Sequence, residues 1–332
     1  MKVNYKVYKL HFKTPLHIGD ERADYSISLK TVRSDTLYAA FTAVLSKLGK
    51  TVPEDGDLGF TISSLFPFYQ KSQKEKPVYF FPKLLTHPLP DASKNKHVKD
   101  VKKITWLDID YFNKQINEEN IFSDNLEHSH IKDNFLTGKD IGEGFMSPQI
   151  SPRVKVSRSG EEDATPFYMD RLYFSDHSGM YFIAKGDTKV IEPILNVLKD
   201  EGIGTDRNIG NGFFEFSEDS IELDLPRSNF ISNLSLFCPE NHSQLESLID
   251  YPAIAYDFIK RGGWITSDSH TGFRKNSIYV FSEGSVFKSD LIDEDLIMGK
   301  IVDLKPEIEH NPIPHPVWRN GRAIFIPVKP VL

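Results

Sequence analysis

The sequence contains a single cysteine, Cys238, among its 332 residues. One cysteine excludes a disulfide within the chain and also a zinc site built from several thiolates. Such sparing use of cysteine fits a reducing compartment. We therefore expect a cytoplasmic protein.

Long apolar runs are also absent from the sequence. No stretch reaches the length of about 20 apolar residues that a membrane-spanning helix needs. The N-terminus, "MKVNYKVYKLHFK", carries repeated lysines and lacks the continuous apolar core of a signal peptide. These two absences predict a soluble chain.

Positive charge is not in excess either. The chain has 40 Lys and Arg residues against 47 Asp and Glu residues, so its formal net charge is −7. Overall charge therefore gives no indication of nucleic-acid binding. An anionic partner would have to be bound by local basic patches.

The composition that remains is that of a globular protein. The chain is 39% hydrophobic, 12% aromatic and 26% charged, which allows a sizeable core and excludes wholesale disorder. Its length suffices for two domains or for one large domain.

Hydrophobic patterns predict the elements of the first 225 residues. A strand over residues 1–12 precedes a helix with Ser34 as its N-cap and Gly49 after its end. Strands follow at "PVYFFPKLL", "RLYFSD" and "GMYFIAK". A second helix begins at Thr188 and ends before Gly202. The strand-like runs "FFEF" and "SIELDL" complete this part.

This order of elements predicts the fold. Strand, helix, strand, insertion, strand, helix, strand is a βαββαβ plan, and the polar residues at about 88–150 form its insertion, which we expect to be mobile until a partner orders it. The strand-like runs "NFISNLSLFC", "AIAYDFIKRGGW", "SIYVF" and "AIFIPV" and the short helix "NHSQLESLI" suggest a second such unit. We therefore predict an α+β protein with two tandem ferredoxin-like (RRM-like, βαββαβ) domains, at 1–225 and 226–332.

The stretch "GIGTDRNIGNG", residues 202–212, is the most unusual loop of the sequence. Its glycines have a simple structural explanation, because Gly202 can end a helix and the others can form a hairpin. Glycine also lets a backbone approach a phosphate closely and expose N–H groups to an anion. The spacing of these glycines matches neither the Walker motif of nucleotide-binding proteins nor the glycine motif of dinucleotide-binding proteins. We predict that the loop binds a polyanion backbone, through Gly202, Gly204, Arg207, Asn208, Gly210, Asn211 and Gly212.

Three further groups are candidates for the same groove. Lysines 94, 96, 99, 102 and 103 precede Trp106, Tyr111 and Phe112 and form either a solvated loop or a phosphate-binding patch with stacking rings. The start of the first helix is a possible phosphate site, and cations that alternate along a strand share one face. The residues predicted to extend the groove are Lys102, Lys103, Arg33, Ser34, Arg153 and Arg158, with Lys155 between the last two.

Two other stretches allow different functions. His17, in "TPLHIGD", is of the residue type that acts as general base in metal-free RNA cleavage, although a histidine bonded within a turn is the simpler explanation. The stretch "HPVWRNG" forms either an ordinary turn and edge strand or a docking surface anchored by Trp318 and Arg319. His128 and His130 have no third ligand nearby, so we predict neither a metal nor a cofactor.

Several of these stretches together resemble one known family. "PLHIGDERADYSISLKTVRSDTLYAAF", "SSLFPF", "SPRVKVSR", "GIGTDRNIGNGFFEF", "GGWI" and "HPVWRNG" occur in the order found in subunit four of the type III-A CRISPR effector, the Csm complex. That family belongs to the RAMP superfamily of ferredoxin-like proteins, and the resemblance extends over almost the entire chain. It implies an antiviral RNA-binding subunit that is not itself a nuclease.

The resemblance also implies partners. In that family the protein caps the crRNA at its 5′ repeat-derived tag, and it docks the large polymerase-cyclase subunit and a backbone-filament subunit. The loop from Gly202 to Gly212 corresponds to the glycine-rich loop with which the superfamily contacts RNA. The leading hypothesis is therefore a non-catalytic RNA-binding scaffold. The alternatives are a metal-independent endoribonuclease with His17 as general base and a protein-docking module without RNA contact.

Overall fold

The computed structural model describes residues 1–19, 25–85, 98–123, 126–156, 163–251, 254–265, 270, 272–290, 296–310 and 312–330. Five α-helices and nineteen strands lie in these residues. The helices are α1 (Ser34–Lys47), α2 (Val98–Lys103), α3 (Ile109–Ile116), α4 (Ile191–Glu201) and α5 (His242–Ile249).

The strands vary greatly in length. In chain order the first ten are β1 (Lys2–Phe12), β2 (Phe60–Ile62), β3 (Phe66–Tyr69), β4 (Val78–Pro82), β5 (Trp106–Asp108), β6 (Ile131–Lys132), β7 (Phe135–Leu136), β8 (Met146–Lys155), β9 (Thr165–Phe174) and β10 (Gly179–Gly186). The rest are β11 (Phe214–Asp224), β12 (Phe230–Asn233), β13 (Phe258–Arg261), β14 (Ile278–Phe281), β15 (Val286–Lys288), β16 (Ile297–Met298), β17 (Ile301–Asp303), β18 (Trp318–Asn320) and β19 (Ala323–Pro327).

One large sheet forms the frame of the N-terminal half. Nine strands join in the order β11–β1–β10–β3–β4–β5–β7–β6, with β2 also paired to β10. Strand β1 pairs with β11 along its whole length, from Lys2 opposite Asp224 to Phe12 opposite Phe214. The loop at 202–212 therefore lies at the end of the sheet where β1 ends and β11 begins.

Helices α1 and α4 pack their apolar sides into the core of this half. Phe41 of α1 meets Phe182 of β10 with ring centroids 5.9 Å apart. Short helices are marginal in water, so burial of an apolar stripe is what stabilises them. The stripe predicted for α4 is fully buried and consists of Ile191, Ile194, Leu195 and Leu198.

Two details of the predicted elements are wrong. The runs "FFEF" and "SIELDL" form one continuous strand, β11, because β1 pairs with it over all eleven of its residues. Helix α1 begins at Ser34, and Arg33 occupies the N-cap position instead. Ser34 is not a cap because its hydroxyl accepts a hydrogen bond from the Leu236 N–H at 2.9 Å.

The predicted insertion is folded into the molecule wherever the structure describes it. Strand β5 pairs with β4, and α3 packs beneath the sheet with Phe112 fully buried. The rings of Phe112 and Phe81 stack with centroids 4.4 Å apart. Residues 98–123 and 126–150 are thus packed into the fold, and 88–97 lie outside the described residues. That a partner orders this segment stays a prediction.

The C-terminal half is built around a smaller sheet in the order β15–β12–β19–β16. Two hairpins, β13–β14 and β17–β18, flank it, and α5 is the α-helix found in the described part of 226–332. Mixed helices and sheets confirm the predicted α+β class. The tandem ferredoxin-like arrangement stays a prediction.

The main hydrophobic core extends across both halves, and a separate buried cluster that includes Phe237, Phe287 and Phe325 lies within the C-terminal half. Leu234, Ile324 and Ile326 of the C-terminal half belong to the same buried cluster as the residues of β1 and α1. Within the described ranges, no helix is both long enough and apolar enough to span a bilayer.

Candidate nucleic-acid interface

The glycine-rich loop begins where α4 ends. Gly202 has φ +78°, a conformation that glycine adopts without strain, and its N–H donates to Leu198 O at 2.8 Å. The loop closes on itself through the Ile203 N–H, which donates to Gly212 O at 3.0 Å. Residues Arg207–Ile209 form a single 3₁₀ turn at its outer end.

The loop is fastened to the segment that follows β1. The Thr205 N–H donates to His17 O at 2.8 Å, and the Gly212 N–H donates to Pro15 O at 2.8 Å. The Phe213 N–H donates to the Thr14 hydroxyl at 2.8 Å. These bonds give the loop a fixed shape and leave its outer turn facing away from the sheet.

Close packing explains three of the four glycines. A Cβ at Gly212 would stand 1.9 Å from Ile203 O, one at Gly204 would stand 2.4 Å from His17 O, and one at Gly202 would meet a backbone oxygen at 2.6 Å. Gly210 differs, because nothing lies within 4 Å of its Cβ position although its φ is +94°. The simple structural explanation thus covers Gly202, Gly204 and Gly212. At Gly210 only the positive φ favours glycine, and its N–H donates to Arg207 O at 3.0 Å.

The polar side chains of the loop divide into two groups. Arg207 and Asn208 are exposed on the outer turn, next to Gly210, and Arg207 forms no ion pair within the described ranges. Asn211 is buried, and its Nδ2 has no hydrogen-bond partner in the part of the chain that is described. Arg207 and Asn208 are therefore available to an anion, whereas Asn211 lies behind them.

A long hairpin adjoins the loop. Strands β8 and β9 pair over ten residues, from Met146 opposite Phe174 to Lys155 opposite Thr165. Its base is tied to the same segment as the loop, since Leu16 and Leu172 exchange two backbone hydrogen bonds of 2.9 and 2.7 Å. The loop and the hairpin thus flank one surface.

A row of rings connects the two. The His17 ring stacks on Tyr25 with centroids 5.8 Å apart, and Tyr25 contacts Phe167 of β9 at 5.4 Å. Phe167 lies opposite Arg153 of β8. The structure therefore brings Arg153 toward the glycine loop. Lys155 ends β8, and Arg158 lies outside the described residues.

His17 is buried, not exposed in a cleft. Its exposed fraction is 1%, and its Nδ1 lies 2.6 Å from Asp170 O. A general base must reach the proton it removes. The geometry thus favours the structural explanation for His17 over the catalytic one.

The lysine cluster lies elsewhere. Lys102 and Lys103 are exposed at the end of α2, before β5, and four strand spacings, roughly 19 Å, separate β5 from β1. Lys103 pairs with Asp100 at 3.3 Å. Trp106 and Phe112 are buried and the Tyr111 hydroxyl is bonded to His130, so these rings are not a stacking surface. Lys94 and Lys96 lie outside the described residues.

The remaining predicted residues meet at the N-terminus of α1, inside the protein. Arg33 pairs with Glu283, and Ser34 is fully buried. Arg319, also buried, donates to Asp35 Oδ2 at 2.8 Å and to Gly262 O at 2.7 Å. Trp318 covers Gly56, where a Cβ would stand 2.7 Å from its indole ring. These four residues join the two halves of the chain. Ser34 and Arg319 are buried, while Arg33 and Trp318 are partly exposed.

The junction has unusual electrostatics that the sequence analysis missed. Burial alone would raise the pKa of Asp35, but Arg319 and Arg261 beside it hold that pKa well below its ordinary value. Burial, together with the nearby Arg319, lowers the pKa of Lys275 to about 8. Asp35 lies 284 positions before Arg319, so no local pattern announces this cluster. Over the described ranges, no group of three or more His, Cys, Asp or Glu residues is arranged to hold a metal ion.

The comparisons with known proteins agree with one another. Residues 227–328 match the family model of the CRISPR Csm4 C-terminal domain. The "CRISPR system Cms protein Csm4" of Streptococcus thermophilus is 23% identical over 341 residues, covering 97% of this chain and 98% of the relative. Its counterpart in Thermococcus onnurineus (strain NA1) is 25% identical over 271 residues, covering 78% and 82%.

Solved structures show the same fold. A chain of the Csm3–Csm4 subcomplex in the type III-A CRISPR-Cas interference complex aligns with a TM-score of 0.59 and 18% identity, covering 98% of this chain and 100% of that one. A chain of the Csm1–Csm4 cassette in complex with cA4 aligns with a TM-score of 0.58 and 19% identity, covering 98% of both. Residues 227–328 thus match the C-terminal domain of Csm4, and the chain is similar to Csm4 proteins of CRISPR systems over almost its whole length.

Proposed function

We propose that this chain is a non-catalytic, RNA-binding architectural subunit that caps the crRNA at its 5′ repeat-derived tag. Its partners in this proposal are the large polymerase-cyclase subunit and the backbone-filament subunit of the Csm complex. Similarity to Csm4 proteins supports the assignment, because the relatives of known structure were solved with Csm1 and with Csm3.

One observation carries the RNA-binding part of the proposal. Arg207 is an exposed guanidinium without an ion pair in the described residues, and it lies on the outer turn of the glycine loop. A guanidinium group can donate two parallel hydrogen bonds to the oxygens of one phosphate. On the neighbouring hairpin the rings of Tyr25 and Phe167 lie next to Arg153, so rings and a cation are combined there. Single-stranded nucleic acid is bound by that combination.

The residues predicted to contact RNA have different roles in this proposal. Arg207, Asn208, Gly210 and Arg153 form the proposed contact surface. Gly202, Gly204, Gly212 and Asn211 shape it from behind, and Lys102 and Lys103 would serve a more distant part of the RNA. Trp318, which is partly exposed, stays a proposed docking residue, whereas Arg319 is buried.

The domain proposal follows the sheet order. Strands β11, β1, β10 and β3, with α1 and α4 in the connections, have the 4–1–3–2 order of a βαββαβ unit, which supports a ferredoxin-like domain at 1–225. The family match over 227–328 supports a C-terminal domain at 226–332.

The test is a titration of the full chain with single-stranded RNA that carries the repeat-derived tag. We expect Arg207→Ala to weaken binding several-fold and to reduce the slope of log K against log salt by about 0.7, the value for one lost phosphate contact on a single strand. The control is Arg227→Ala, because Arg227 is also exposed but lies beyond the far end of β11, about 34 Å from the loop. Unchanged affinity and slope for Arg207→Ala and Arg153→Ala, with RNA still bound, would remove this surface from the site. No binding of RNA at all would favour a pure protein-docking module.

A further inference from the structure

One face of the hairpin β8–β9 is both apolar and exposed. Ile150 is 63% exposed, Val154 57% and Tyr168 64%. Side chains alternate along a strand and paired residues share a face, so these three lie together with Pro152 and Pro166, which are also exposed. We call these residues the apolar face. Single exposed apolar residues are ordinary on protein surfaces, but a contiguous group marks an interaction site.

The base of the same side of the hairpin belongs to the core. Met146 and Leu172 are buried there as part of the main hydrophobic core. Asp170, which pairs with Ile150, is buried as well, and its carboxylate accepts a hydrogen bond from the Ser28 N–H at 3.0 Å. Beyond these residues both strands leave the core, and the apolar face that continues from it is exposed.

The edges of the hairpin are poor places for a partner to add a strand. Proline has no N–H to donate, so within a sheet it lies with its nitrogen toward a free edge, as Pro148 and Pro152 do on β8. On β9 the outer end carries Pro166, and nearer the base the Asp170 N–H already donates to Tyr25 O at 2.8 Å. A partner would therefore bind the face of the hairpin and not extend its sheet.

The two faces of the hairpin differ in chemistry. Arg153 and Lys155 lie on the opposite face together with Phe167, which adjoins the proposed RNA surface. Nucleic-acid binding depends largely on cations that contact phosphates, and none of the residues of the apolar face is charged. Such a surface instead fits the core of a protein–protein interface, which is depleted of charged residues.

We infer that the apolar face is the docking surface for the backbone-filament subunit of the Csm complex. The inference rests on the proposed function, in which this chain caps the crRNA and that subunit is a partner. RNA held by a cap continues beyond it, so a hairpin that contacts RNA with one face presents its other face to the next RNA-bound subunit. A similar chain was solved in a Csm3–Csm4 subcomplex, which makes Csm3 the probe for this partner.

The test measures the affinity of the full chain for purified Csm3. We expect the double variant Ile150→Gln, Tyr168→Gln to bind at least about tenfold more weakly, because polar side chains then meet an apolar surface. The matched control, Ile150→Leu with Tyr168→Phe, keeps the face apolar and should bind like the unchanged chain. Affinity for single-stranded RNA should be equal in all three proteins. Equal urea midpoints establish that folding is unaffected.

Several results would overturn the inference. If the glutamine variant binds Csm3 as tightly as its control, the apolar face is not this interface, and the proposed function stands. If it instead loses affinity for RNA or for purified Csm1, the face contacts bases or another subunit. If sedimentation shows that the unchanged chain is a dimer and the glutamine variant a monomer, with equal Csm3 affinity, the occupant is a second copy. If the unchanged chain does not bind Csm3, the proposed partner and this inference fail together.

Discussion

Asp35 is the residue on which the junction between the two halves depends. Its carboxylate is fully buried and accepts hydrogen bonds from Arg261 at 2.8 and 3.1 Å and from Arg319 at 2.8 Å. Removing one partner of such a group leaves uncompensated charge in the interior, which costs more than the pair itself contributes.

Asp35→Asn therefore removes the charge that Asp35 provides to Arg261 and to the buried Arg319. We expect the free energy of unfolding at pH 7 to fall by about 3 to 5 kcal/mol, measured by urea denaturation. The pH dependence provides the control. Because the pKa of Asp35 is depressed below its ordinary value of 3.8 in the folded chain, its contribution is present above that value and is lost as pH falls below it. The unchanged chain should lose stability below about pH 4 more steeply than the variant, and parallel curves would contradict the assignment.

At the scale of single elements, the glycine loop combines two kinds of glycine. Gly212 is required by packing, since a Cβ there would overlap the backbone of Ile203, while Gly210 faces open space. Both have positive φ, +76° and +94°, so an alanine at either position carries the same kind of backbone strain. Comparing alanine substitutions at Gly210 and Gly212 therefore distinguishes the cost of steric overlap from the cost of backbone strain.

We expect Gly210→Ala to lower the free energy of unfolding by about 1 to 2 kcal/mol, the cost of a left-handed alanine. Gly212→Ala should add an overlap that costs about 1 to 3 kcal/mol more. Urea midpoints of the two variants measure the difference. Equal losses would mean that the loop relaxes around the new methyl group and is not held by the bonds to Pro15 and His17.

At the scale of the whole molecule, the two halves depend on each other. The C-terminal residues Leu234, Ile324 and Ile326 complete the N-terminal core, and Arg322 pairs with Asp57 across the junction. Buried apolar area of this kind is the main source of stability, and a fragment would expose it to water.

Residues 226–332 expressed alone should therefore lack fixed tertiary packing. The expected result is a weak near-ultraviolet circular dichroism signal and no cooperative urea transition, whereas the full chain should unfold in one transition. A cooperative transition of the fragment, with a midpoint close to that of the full chain, would show that the C-terminal half is an independent folding unit.

The sequence predicted most of what depends on local pattern. The apolar stripe of α4, the length of β1, the glycine loop and the family follow from periodicity and from short motifs that neighbouring residues carry. The α2–α3 region escaped prediction, because helices of six and eight residues give a short periodic signal.

The sequence by itself determined four features. It excludes an internal disulfide and a long apolar span, and it predicts α+β elements and a loop that carries Arg207 and Asn208 between glycines. Only the tertiary structure decided which polar residues face outward. Ser34, Arg319 and Asn211 were expected to meet a ligand or a partner, yet the fold buries all three. Ser34 bonds a residue 202 positions away, and Arg319 one 284 positions away. Partners so distant in the chain leave no local pattern, so a cation bound inside the protein and one free for RNA look alike until the chain is folded.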